Sequence, residues 1–127
     1  MAKNYSIAEG RENTAVTGFS MGGRESLFIV HSRPDLFGYV GAMCPAPGVS
    51  PGLIAENDFN FSKSATPPYL VMITAGSNDT VVYSSPDGYH NILNKNNSAH
   101  VWHYVNGGAH GANSMRPHMY TFVRSIF

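Results

Sequence analysis

Apolar positions in this chain gather into four short runs, set apart by stretches of helical periodicity or by turn residues. Thr14-Ala15-Val16-Thr17 is short, rich in β-branched residues and closed by Gly18, which predicts a buried strand. Tyr39-Val40-Gly41-Ala42-Met43 predicts a second. Tyr69-Leu70-Val71-Met72-Ile73-Thr74-Ala75 is apolar almost without interruption, the pattern of a strand covered on both faces. Val101-Trp102-His103-Tyr104-Val105 predicts a fourth.

Between them, Gly22 to Ser32 reads as a helix with a core apolar nearly all round, stopped by Pro34. Ser85-Pro86-Asp87 reads as a helix start, with Ser85 as cap and Pro86 in the first turn, the helix ending near Asn96. Pro117 to Phe127 reads as a closing helix with Met119, Phe122, Val123 and Ile126 on one face. Residues 44–68 are rich in Pro, Gly and Ser and lack periodicity, so they predict a long loop, a length often tied to function. The order strand, helix, strand, loop, strand, helix, strand, helix predicts an α/β fold: a mostly parallel sheet of about four strands with flanking helices. In such sheets function collects at the carboxyl ends of the strands.

Composition narrows the function classes. With 127 residues the chain makes one modest domain, residues 1–127, and 43% hydrophobic against 13% charged residues is a globular balance. Eight basic and eight acidic residues cancel, and no basic run occurs, which argues against nucleic acid and acidic membrane surfaces as partners. No segment approaches the roughly 18 apolar residues of a membrane helix. Cys44 is the only cysteine, so no intrachain disulfide can form; a buried structural thiol is its expected role. Met1-Ala2-Lys3-Asn4 is followed by no apolar stretch and does not read as a signal peptide.

The candidate chemistry begins at Gly18-Phe19-Ser20-Met21-Gly22. A Gly-x-Ser-x-Gly match arises by chance in a chain of this length with a probability of roughly a few per cent. Here it follows a predicted strand and opens a predicted helix, the setting that lifts a serine hydroxyl above a sheet for nucleophilic attack. Gly18 and Gly22 are expected where side chains would collide with neighbouring backbone, and Gly23 gives room for close helix approach. The Met21 N–H, at the helix amino-terminus, is placed to hold a developing oxyanion. The competing reading is a Gly-rich turn in which Ser20 only caps the helix.

A serine needs a base, and the base needs an orienting carboxylate. His110 lies in Asn106-Gly107-Gly108-Ala109-His110-Gly111, directly after the fourth strand. His100 and His103, three apart at a strand, point to opposite faces and form no metal pair with each other. His31, His90 and His118 read as surface or partly packed side chains. Asp79, in Ala75-Gly76-Ser77-Asn78-Asp79-Thr80, follows the most buried strand. Asp87 is explained by the helix dipole, and Asp35 and Asp58 follow no strand end. The bland alternatives are an exposed loop histidine and a turn aspartate bonding its own backbone. The order Ser20, Asp79, His110, each after a strand, is that of α/β hydrolases.

Asn13 to Gly23, Arg33-Pro34-Asp35-Leu36-Phe37, Gly76-Ser77-Asn78-Asp79 and Gly107-Gly108-Ala109-His110 together resemble the esterase-D-like carbohydrate esterases, above all the family 1 feruloyl and acetylxylan esterases. The resemblance runs from about Arg11 to Phe127. It implies a secreted serine esterase that hydrolyses ester decorations of plant xylan, with Ser20, Asp79 and His110 as triad and no metal or organic cofactor. Family members often place an acidic residue after the histidine, where this chain has Gly111. They also carry a long further stretch before the nucleophile strand, which supplies the first half of the sheet and a second oxyanion donor. The chain is therefore read as the carboxyl-terminal half of a catalytic domain. Its expected partners are the cell-wall ester and either the amino-terminal half or another copy of this chain. A non-catalytic half-domain is the alternative, and a lipase or peptidase on the same turn is a third reading that no long apolar lid segment favours. The loop at 44–68 is expected to shape the acyl pocket. Asn4, Asn60, Asn78 and Asn96 match the glycosylation pattern, and a glycan at Asn78 would crowd Asp79.

Overall fold

A computed structural model describes residues 8–127; Asn4 and the segment expected not to be a signal peptide lie outside them. Four parallel strands form one sheet in chain order: β1 (Ala15–Phe19), β2 (Tyr39–Met43), β3 (Leu70–Gly76) and β4 (Val101–Val105). The connections are α1 (Met21–Ser32), the segment between β2 and β3, and α2 (Ser85–Lys95), with α3 (Ala112–Ser125) after β4. The predicted architecture is therefore present, and every strand ends on the same side.

Alternation of side chains divides the core into two layers. Val40 and Ala42 of β2 and Val71 and Ile73 of β3 face α1 and α2, meeting Leu27, Val30, Ile92 and Leu93. Met43 and Met72 point to the opposite face and pack on Phe122 and Met119 of α3. Parallel strands covered on both faces bury nearly continuous apolar runs, which is why β3 carries so few polar residues.

Three expectations are corrected. The closing helix starts at Ala112, five residues before Pro117, which sits inside it. Val123 is 56% exposed, and its expected place on the packed face goes to His118, which is fully buried and neither a surface nor a partly packed side chain. The stretch 44–68 lacks strands, but part of it is core: Val49, Ile54, Phe59 and Phe61 belong to the α1–α2 core, with Phe59 and Phe61 meeting edge to face at 5.4 Å, while Leu53 is 71% exposed. Those four residues build the core, while Cys44 and Ala46, at the start of the stretch, lie against the turn that carries Ser20. No helix of the described residues is long and apolar enough to cross a membrane.

Candidate active site

Ser20 occupies the turn between β1 and α1 with φ 59° and ψ −113°, a backbone conformation a serine rarely adopts. Its N–H donates to the Met43 carbonyl at 2.9 Å, and its carbonyl accepts from Ala46 at 2.9 Å and Arg24 at 3.1 Å, so backbone on both sides holds the strained turn. A Cβ at Gly18 would run into the Gly22 carbonyl, and one at Gly23 would stand 3.2 Å from the Gly18 oxygen and the Pro45 Cα. Gly22 departs from expectation: a Cβ there would meet nothing within 4 Å. Ser20 stands at the cap position of α1, yet its hydroxyl makes no capping bond. That disposes of the reading in which it merely caps the helix. Met21 is the first residue of α1, where the backbone N–H has no acceptor within the helix.

Asp79 and His110, 31 residues apart, meet. His110 Nδ1 lies 2.6 Å from Asp79 Oδ2, with the side chains 9% and 1% exposed. An ionised carboxylate only accepts, so Nδ1 carries the proton and Nε2 is left with a free lone pair. The other oxygen, Oδ1, accepts from the N–H groups of Val81 at 2.9 Å and Val82 at 3.0 Å. Asp79 thus bonds its own turn and the histidine at once. Burial pushes its carboxyl up, but the N–H groups of Val82 and Val81 and the His110 ring outweigh that and hold it below the ordinary carboxylate value.

The two loops are fastened together. Asn78 N–H donates to the Gly108 carbonyl at 2.8 Å, Ser77 N–H to the Val105 carbonyl at 3.1 Å, and Gly107 N–H to the Ser77 hydroxyl. A Cβ at Gly76 would strike the Gly108 carbonyl, so glycine is what lets the loops close. The loop that carries His110 is therefore held against the Asp79 loop. The His110 ring stacks on Phe19 at 4.4 Å and 28°, which sets it beside the residue preceding Ser20. No hydrogen bond joins Ser20 to His110 among the described residues; such bonds tighten with substrate present.

The Phe19 contact was missed by sequence reasoning, although its place inside the Gly-x-Ser-x-Gly motif is a usable signal. Cys44 was read as structural and is fully buried. Its sulfur, an Asp79 oxygen and a His110 nitrogen lie within 4.8 Å of one another. Burial, with the nearby Asp79 charge adding to it, pushes the thiol up to about 11, and His110 Nδ1 is already bonded to Asp79. Behind it, Cys44 Sγ stands 3.6 Å from His118 Nε2, and His118 Nδ1 is 2.8 Å from His103 Nδ1. His100, just before β4, pairs instead with His90 of α2 at 2.7 Å, so His100 and His103 do use opposite faces of the sheet.

The sequence matches the family described as "Putative esterase" over residues 1–122. The fold is similar to that of the CE1 ferulic acid esterase AmCE1/Fae1A of the anaerobic fungus Anaeromyces mucronatus. Its substrate-free structure superposes with a TM-score of 0.93 at 45% identity, covering 99% of this chain and 48% of that one. Its complex with ferulic acid gives a TM-score of 0.93 at 44% identity, covering 100% and 49%. The chain thus spans about half the length of that esterase, in its carboxyl-terminal half. S-formylglutathione hydrolase (FrmB) of Staphylococcus aureus shares the fold at 17% identity with a TM-score of 0.71, over 97% of this chain and 55% of that one.

Proposed function

The chain belongs to this esterase family, and on that premise we propose that it carries the nucleophile, base and orienting carboxylate of a serine esterase acting on feruloyl or acetyl esters of plant xylan. The observation that carries the reading is the Asp79–His110 pair, formed at the carboxyl ends of β3 and β4 beside a strained serine whose hydroxyl caps nothing. Ser20 Oγ attacks the ester carbonyl while His110 Nε2 takes its proton. The Met21 N–H holds the oxyanion, together with a donor from outside this chain. The C–O bond breaks, the alcohol leaves with the proton from His110, and water then hydrolyses the acyl-enzyme by the same exchange. Asp79 fixes the tautomer throughout. The likeness to the ferulic acid esterase supports the feruloyl part of this reading, and a polymeric cell-wall substrate would require secretion.

A short chromogenic ester tests this. The chain should turn it over, and Ser20→Ala should abolish that turnover. Without a second oxyanion donor the rate should be reduced by on the order of a few hundred-fold, about 3 kcal/mol. Turnover unchanged by Ser20→Ala would sink the reading. The exposed flank of β1 favours a second reading, a half-domain inactive until a partner chain completes the sheet. Folded protein without any turnover supports that one.

A further inference from the structure

On the β4 side of the carboxyl end of the sheet lies an open groove of about 420 Å3, lined by Ser77, Asp79, Tyr83, Ser84, Asp87 and Tyr104. Folding alone does not explain its rim. Tyr83 is 69% exposed and holds φ at 50°, in the left-handed region that a bulky side chain avoids. Backbone strain of this kind is kept at ligand clamps and active sites. Tyr104 is 48% exposed on β4. Ser84 stands at the cap of α2, yet its hydroxyl makes no capping bond. Asp87, in the first turn of α2, forms no ion pair among the described residues.

The chemistry of this lining selects its ligand. Two phenol rings offer apolar faces, while a free hydroxyl and a carboxylate offer hydrogen bonds. The groove has two carboxylates, Asp79 and Asp87, and no cation, which suits no anion, and its polar edge suits no acyl chain. A sugar ring matches both halves, with a C–H face to stack and hydroxyls to donate. We propose that the groove between Tyr83, Asp87 and Tyr104 is a carbohydrate subsite, holding a sugar ring of the polysaccharide beside the ester-cleaving centre. The inference rests on the esterase reading above for its substrate class. Asp79 belongs to both regions, so a bound chain would run from the groove directly to the catalytic loops.

Calorimetric titration of the chain with unesterified xylotriose reads binding without any turnover. Trp102, the only tryptophan, stacks 6.0 Å from Tyr104 and gives a local fluorescence signal. Saturable binding is expected with a Kd of roughly 1 mM. Tyr83→Ala and Asp87→Asn should each weaken it about tenfold. Tyr120→Ala, at an exposed tyrosine on α3, should leave it unchanged. Tyr83→Gly relieves the left-handed backbone, so it should raise Tm by roughly 4 °C while losing the sugar, which separates recognition from folding. Absence of binding, or parental affinity in both Tyr83→Ala and Asp87→Asn, overturns the proposal. Binding without ester turnover would instead remove the esterase reading and leave the subsite standing.

Discussion

At the scale of single residues the site is a set of proton placements, and His118 makes the most testable of them. Burial, and then the neighbouring His103, pushes it down to about 4 from the ordinary 6.5. As pH falls below 6.5 the unfolded chain takes up this proton and the native chain does not. Stability is therefore full above pH 6.5 and is lost as pH falls from there to about 4, by on the order of 3 kcal/mol from this group. His118→Gln should flatten the dependence of Tm on pH across that window; an unaltered slope would show that His118 does not control it. Asp79 has the same sign at lower pH, since a depressed carboxyl loses its contribution as pH falls through its folded value. Ser20, Asp79 and His110 were legible in the sequence because each stands within a few residues of a strand end. The burial of His118 was not, because its partners His103 and Cys44 lie 15 and 74 residues away and local pattern is blind to both.

At the scale of elements, boundaries followed the strength of the local signal. β4 lies where the run from Val101 to Val105 put it, and α1 and α2 lie within a residue of expectation. α3 was misjudged because Pro117 reads as a helix start, whereas the helix begins after Gly111 and tolerates the proline inside its second turn. The loops after β3 and β4 depend on an approach that no periodicity encodes. Gly76 permits it, and the Gly108 carbonyl it faces accepts the Asn78 N–H. A methyl group at Gly76 must push the His110 loop away from the Asp79 loop. Displacement of a catalytic group by about 1 Å costs roughly a hundredfold in rate. Gly76→Ala should therefore lower kcat on a short ester by about that factor while circular dichroism still reports a folded chain. Full activity in that variant would mean the two loops are not held by this contact.

At the scale of the whole molecule, alternation of strands and helices foretold the parallel sheet, but strand order decides its consequences. β1 leads into Ser20, the proposed nucleophile, yet among the described residues it has one neighbour, β2, and so forms an edge. Natural edges are blunted by charge, proline or bulges, and Ala15 to Phe19 offers none of these. Its free backbone groups are a template for another strand, from a completing half or from a second copy of this chain. Association should therefore appear at micromolar concentration in sedimentation velocity. Thr17 is the exposed position of β1, so Thr17→Lys places a charge on that edge and should move the population towards monomer. The lysine also removes the bond from the Thr17 hydroxyl to the Gly41 carbonyl, so the variant must be shown to melt cooperatively before its size is compared. A parent chain that stays monomeric at these concentrations would defeat the pairing. An associated chain that stays inactive would separate two roles of the edge, because a second copy can satisfy β1 without adding an oxyanion donor beside Ser20.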